Sequence, residues 1–364
     1  RLMPLTFDTT ETITPTTQRL SARFTPCGEY LITGGFEGLL HRWSLTGDER
    51  TELAVIKGHH GWVEAIGFHP TESRVYSGDS WGGLACHDYS EENPTTLWRR
   101  ESAHDGWLRA IAVGADGSWL ASCGKDHSVQ CWKTKNGKLT QRLVGHETDV
   151  YSLVVHSESQ SLVSGDAHGQ VIAWNRKKGV PERRFDASEL FLQHRLQDVG
   201  GVKCMAFSPD GKTLFVGGTR PKGGGNVQGV PLIIGFDWDS GEEVFQRELG
   251  VVGDVYVHEM QFHSNGYLMA VTSGNPGTGQ LLFVDTNAAV KEGETEASEL
   301  PYRNNKLSNC HSISLHPDGE QFAVTTTSKG SNGNGRRLDK DGNYVGNHSP
   351  IYLMQPSIIT NEKQ

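Results

Sequence analysis

The sequence predicts an all-β chain: a seven-bladed β-propeller with four antiparallel strands per blade, its last blade closed by a strand from the N-terminus. Three observations carry this. The first is a period. The segments "LITGGFEGLLHRWSL", "RVYSGDSWGGLACHDYS", "WLASCGKDHSVQCWKTKNG" and "SLVSGDAHGQVIAWNRKKG", aligned on their last aromatic ring, place Trp43, His87, Trp132 and Trp174 in register at steps of 44, 45 and 42. The second is the content of each unit: alternating apolar runs separated by a Pro/Asp/Gly-type turn ("TPCGEY", "HPTES", "GADGS", "HSESQ"), then by a tight Gly-rich turn, then by a polar run such as "TTLWRR". Several short strands at such spacing give one four-stranded sheet per period. The third lies at the two ends of the chain. The seventh unit runs out after its third strand, and "LMPLTFDT" at the start has no strand partners of its own. An open sheet edge is a liability that folded chains avoid, so the two ends are expected to pair.

Taken in order, the units place blade 1 at about 19–57, blade 2 at 58–102, blade 3 at 103–144 and blade 4 at 145–186. Looser copies follow: "VKCMAFSPDGKTLFVGG" opens blade 5 at 198–249, "VHEMQFHSNGYLMAVTSG" blade 6 at 254–303 and "CHSISLHPDGEQFAVTTT" blade 7 at 307–356. Strand 2–9 completes blade 7, residues 2–356 form one domain, and 357–364 are a C-terminal tail. Between blades 4 and 5, "DASELFLQHRLQD" has Asp186 and Glu189 at capping-box spacing and predicts a short helix, packed down by Leu190, Phe191 and Leu196.

This pattern resembles the WD-repeat β-propeller family over nearly all of residues 2–356. The resemblance implies a buried hydrogen-bonded tetrad in each blade, of a His, a Ser or Thr, an Asp and a Trp. Blade 3 supplies all four as His104, Ser122, Asp126 and Trp132. Blades 2 and 4 depart: Trp81 and His168 stand where the Asp is expected, and His87 replaces the Trp. These residues are read as structural, because buried polar groups need mutual hydrogen bonds.

The charge balance is 34 basic against 43 acidic residues, a net of −9, with no dense run of Lys or Arg. That argues against nucleic acid as a partner. No apolar run approaches the length of a membrane span, so no membrane partner is expected and the reading is of a soluble, cytoplasmic chain. The first residue is Arg1, which fits a leader or neighbouring domain upstream and a role as one module of a longer chain. Six cysteines are scattered without a CxxC pair, against both a zinc site and a disulfide framework; Cys123 and Cys131 are read as buried thiols.

Two features point to a binding surface. Between the second and third strands, blade 5 inserts "TRPKGGGNVQG", blade 6 "GNPGTG" and blade 7 "SKGSNGNGRRLDKDGNYVGNHS", three long loops on one face. At the blade entrances, the residues just before the inner-strand reference point are Gln18, Trp62, Trp107, Asp149, Gly201, Tyr256 and Asn309, and those just after it are Leu20, Glu64, Arg109, Tyr151, Lys203, His258 and His311. The resemblance places these around the central opening. Large aromatic rings with nearby cations have the composition of an interaction hot spot. Trp62, Glu64, Trp107, Arg109, Lys125, Tyr151, Lys203, Tyr256, His258 and His311 are therefore the expected contacts for a protein or peptide, and the chain is read as a non-catalytic scaffold. The alternative is a propeller enzyme, lactonase-like or dependent on a metal or cofactor, with its site at the same opening.

Other chemistry is weaker. Gly78-Asp79-Ser80-Trp81-Gly82 matches a nucleophile-elbow pattern but falls in a hairpin rather than a strand-turn-helix. Asp339, Asp341 and Asn343 alternate like calcium ligands but lack the following glycine and glutamate, so turn chemistry is favoured and no cofactor is expected. His258 and His311 occupy equivalent sites and are read as a solvated pair.

Overall fold

The computed structural model describes residues 5–47, 50–194, 197–223, 228–274, 277–287, 300–327, 340–341 and 349–357. Seven four-stranded antiparallel sheets and one two-stranded hairpin account for the described strands. The inner strands of blades 1 to 7 are Arg19–Phe24, Val63–Phe68, Leu108–Val113, Val150–Val155, Cys204–Phe207, Tyr256–Phe262 and Cys310–Leu315. Each inner strand lies against the next, and the seventh lies against the first, which closes the ring.

Strands apolar on both faces explain why the sheets stack. The second strand of blade 3, Trp119–Gly124, is buried at every position, and the third strand of blade 1 is buried at four of its five. A sheet of this kind must be covered on both sides, and here each side is covered by a neighbouring blade. The core is accordingly divided into seven apolar clusters, each lying at one seam between consecutive blades. The cluster at the blade 7–blade 1 seam joins Ile13, Ala323, Ile351 and Leu353 to Ala22, Phe24, Leu31 and Trp43, so the closing seam is as apolar as the others.

Closure works as expected, with a shift in register. Among the described residues the N-terminal strand is Phe7–Ile13, which runs past the expected end at 9, while 2–4 lie outside the described residues; it pairs antiparallel with Ile351–Pro356, from Phe7 opposite Pro356 to Ile13 opposite Ile351. Phe7 fixes this register by entering an aromatic cluster with Phe283, Tyr302 and Phe322 at ring separations of 4.5, 4.9 and 5.2 Å. The outer strand of blade 6, Tyr302–Ser308, also runs past the expected boundary at 303.

The short helix expected after blade 4 does not form. Ser188–Leu190 make a single 3-10 turn, and the chain then folds into a hairpin of Phe191–His194 with Gln197–Gly200. The Asp186 carboxylate does accept from the Ser188 N–H at 2.9 Å, but the residues after Leu190 pair as a hairpin instead, and Gly200 and Gly201, at φ of +106° and +99°, let its returning strand approach the Leu190 carbonyl and the Ala167 backbone. Leu190 is fully buried in the blade 4–blade 5 cluster and Phe191 packs on His168; Leu196 lies outside the described residues.

The tetrads are more complete than the sequence reading allowed. In blade 3, His104 Nδ1 meets Asp126 at 2.9 Å, His104 Nε2 meets Ser122 Oγ at 2.7 Å, and the Trp132 indole donates to the same Oγ at 2.9 Å. In blades 2 and 4 the acid comes from two positions earlier. Asp79 and Asp166 each bond His59 and His146 at 2.7 Å, so Trp81 and His168 are not vacancies in the network. His87 does take the place of Trp in blade 2, fully buried, and burial pushes its imidazole down to about 4.

A second set of histidines, on the opposite face, joins blade to blade. His156, His263 and His316 each accept a backbone N–H of their own turn at Nδ1, and each donates from Nε2 to a carbonyl of the next blade's turn, at Gly211, Glu320 and Gly28, all at 3.0 Å. The glycine at 211 has φ +70°, and a Cβ there would lie 2.9 Å from the His156 ring. The Cys123 and Cys131 thiols are buried and free.

Candidate functional site

The seven residues read as lying just after the entrance point, Leu20, Glu64, Arg109, Tyr151, Lys203, His258 and His311, all line one axial cavity of about 500 Å³. The cause is local. In six blades the pairing of the inner with the second strand slips at that residue, between Arg19 and Ser21, Val63 and Ala65, Leu108 and Ala110, Val150 and Ser152, Val257 and Glu259, and Cys310 and Ser312. A β-bulge of this kind re-aims one side chain, here into the channel. In blade 5, Lys203 immediately precedes the inner strand, and its N–H bonds the Gly217 carbonyl at 2.9 Å.

The entrance tier holds the aromatic rings. Trp62 is 39% exposed, stacked on Phe36 at 4.2 Å and edge-on to Trp107 at 5.6 Å. Its backbone is fixed by Ser80, whose N–H donates to the Trp62 carbonyl and whose Oγ accepts from the Trp62 N–H at 3.0 Å. Trp107 is held the same way through the Lys125 N–H at 2.9 Å, which sets the exposed Lys125 beside it. Sequence reading missed two aromatic residues here. Phe36 is the platform under Trp62, and Trp81, 69% exposed, stands by His60 on the same rim. Both occupy the turn between second and third strands, where an aromatic residue without an apolar partner in the period was the available signal.

Below this tier the cations cover the aromatic faces. The Arg109 guanidinium lies 4.0 Å from the Trp107 ring centre and 5.5 Å from that of Tyr151. Lys203 Nζ is 3.6 Å from the Tyr151 ring centre and 5.4 Å from that of Tyr256. Arg109 and Glu64 are 3.9 Å apart, a loose pair. Burial raises the Glu64 carboxyl against the pull of Arg109 and Lys203, and burial with the repulsion of Arg109 lowers Lys203 to about 8. His258 and His311 meet edge to face at 5.3 Å. Both are half-buried on the channel wall, and burial pushes them down to about 3 and about 4, so both are neutral at pH 7. The floor is apolar, with Ile66, Ile111, Leu153, Met205 and Met260, and Arg23 and Glu259 pair there at 2.5 Å.

Among the described residues, no group of three or more His, Cys, Asp or Glu side chains is placed to hold a metal ion. Asp339 and Asn343 lie outside the described residues, as does most of the blade 7 loop and the centre of the loops in blades 5 and 6. No helix of the described residues is long and apolar enough to cross a membrane.

Comparison with known proteins agrees with this architecture. The family described as "WD domain, G-beta repeat" matches residues 50–87, 96–133, 137–175 and 191–220. Three of these matches begin in or near the outer strand of one blade and end in the third strand of the next, so each spans a seam. Protein hir1 of Schizosaccharomyces pombe is 26% identical over 199 residues, which is 51% of this chain and 17% of that protein. Small ribosomal subunit protein RACK1 of Neurospora crassa is 26% identical over 170 residues, 45% of this chain and 50% of its own length. WD repeat-containing protein 55 of Rattus norvegicus is 27% identical over 152 residues, 41% of this chain and 39% of that protein. The chain thus spans half or less of the length of these relatives. With its period, its ring of seven sheets and its His–Ser–Asp networks, the chain is a seven-bladed propeller that carries WD repeats at four matched positions, which supports a WD-repeat family for it.

Proposed function

We propose that this propeller is a non-catalytic scaffold that docks a protein or peptide on the face bearing Trp62, Trp107 and Tyr256. The single observation that carries this is the packing of Trp62. Its ring is held rigidly between Phe36 and Trp107 yet leaves 39% of its surface to solvent, with Trp81 exposed beside it. A fixed aromatic platform around a cavity offers large apolar area at little entropic cost, which is how binding hot spots are built. The kinship supports the same reading, since one relative is by its name a ribosomal subunit protein and another, of Aspergillus fumigatus, a subunit of a translation initiation factor. The enzyme alternative has less support in the channel, where the ionisable groups are spread around the wall as two carboxylates, two neutral histidines and three cations rather than converging on one point.

The test is a pull-down from the native source with wild type and a Trp62→Ala/Trp107→Ala double variant of verified fold. A partner retained by wild type and lost by the variant supports docking at the mouth; equal recovery by both places it elsewhere.

A further inference from the structure

The channel also carries information about what it accepts, and this rests on the reading that its mouth is the docking face. Aromatic rings at a binding mouth attract cations through their faces. Here those faces are taken: Arg109 covers Trp107, and Lys203 covers Tyr151. A cationic group entering the channel meets two fixed positive charges instead of open rings.

The cations themselves are incompletely satisfied. Among the described residues no carboxylate lies within 4.0 Å of Lys203, and its neighbours are two rings. Arg109 has one carboxylate, Glu64, at 3.9 Å, and its Nε has no hydrogen-bond partner. The Trp107 indole N–H and His311 Nε2 are likewise buried without partners. Buried donors such as Arg109 Nε and the Trp107 indole cost free energy when left unpaired, which an incoming acceptor recovers. The nearby acids stand back from this point: Glu64 and Asp149 act on Lys203 only from beyond ion-pair distance. Glu259 is neutralised by Arg23 and by the Ile313 N–H at 2.8 Å, His258 and His311 are uncharged, and Glu64 faces Arg109. The cavity of about 500 Å³ has room for one side chain above an apolar floor.

We propose that the partner is recognised through an acidic side chain, an Asp or Glu with apolar neighbours, inserted into the channel between Arg109 and Lys203 while the neighbours pack on Trp62 and Trp107. The negative charge answers two cations held close together on the Tyr151 ring, and the carboxylate oxygens accept from Lys203 Nζ and the Arg109 guanidinium.

The experiment selects random linear peptides displayed on phage against the whole chain, then measures binding of the enriched peptides, synthesised and fluorescently labelled, by anisotropy. The proteins are wild type, Arg109→Gln, Lys203→Gln, Lys203→Arg and the Trp62→Ala/Trp107→Ala variant, each with its melting temperature checked. The enriched peptides are expected to share an acidic position flanked by apolar residues. Binding should weaken about tenfold or more in either Gln variant, persist in Lys203→Arg, and fall as ionic strength rises. Replacing the acidic position by its amide should cost a similar factor in wild type and little further in Lys203→Gln. Peptides that need Trp62 and Trp107 but carry no acidic position, or bind the Gln variants unchanged, overturn the acidic recognition and leave docking at the mouth standing. No enriched peptide, or peptides indifferent to the Trp variant, overturns both.

Discussion

Ser122 shows how much a single atom holds in this fold. Its Oγ accepts from the Trp132 indole and meets His104 Nε2, and the Asp126 carboxylate takes the other imidazole nitrogen. Burial alone would raise Asp126, but the hydrogen bond and charge of His104, with Ser128, hold it well below the ordinary carboxylate range. The ionised acid therefore accepts from the Nδ1 N–H, and Ser122 Oγ closes the network at Nε2. Ser122→Ala strips two buried groups of a partner at once and should cost about 2–4 kcal/mol in denaturant unfolding, whereas Ser118→Ala in an exposed turn of the same blade should cost little. His87 makes a pH-dependent case. Its folded-state value, lowered by burial to about 4, lies under the ordinary 6.5, so the unfolded chain binds the proton first as pH falls. Stability is then fully present above about 6.5 and is lost down to about 4, by up to about 3 kcal/mol, and His87→Trp should flatten that slope. The blade 3 tetrad was legible because its four residues sit at family spacing; Asp79 and Asp166 were not, because each closes the second strand instead of standing in the turn after it as Asp126 does, and spacing alone does not reveal that this position also reaches the histidine.

At the scale of elements, strands were readable and connections were not. Alternation and turn residues locate each inner strand, and counting along them found the residues that the bulges aim into the channel. The segment after blade 4 misled because Asp186 and Glu189 stand at helix-start spacing, while Leu190 is buried at the seam and the residues after it pair as a hairpin. Gly201→Ala should be strongly destabilising, since a Cβ there would lie 2.6 Å from the Ala167 backbone at a φ of +99°. The inter-blade histidines were missed altogether, although each stands at the same place, just after an inner strand. His156→Ala removes the link to Gly211 and empties a site stacked on Trp238 at 5.1 Å. It should lower stability by about 1–3 kcal/mol and raise hydrogen exchange in the turn at 208–213. Equal exchange in that turn would show the link to be energetically silent.

The whole molecule is held by its seams. With one apolar cluster between each pair of neighbours, no blade has a core of its own, and cooperativity depends on the ring being closed. Removing residues 5–13 should expose the Ile351–Pro356 edge, lower the melting temperature and promote self-association visible by size-exclusion chromatography. The same rigidity is what makes the channel mouth a fixed surface: Trp62, Trp107, Arg109, Tyr151 and Lys203 come from four blades and are aligned only because the ring sets their spacing. The central claim, that this mouth is where a partner docks, is tested most directly by placing a photo-crosslinking amino acid at position 62 and, separately, at Asn136 in an exposed turn on the opposite face, then irradiating in extract of the native source. The account predicts a discrete crosslinked partner from position 62 and none of the same mass from 136. Crosslinking of one partner from 136 alone would contradict it.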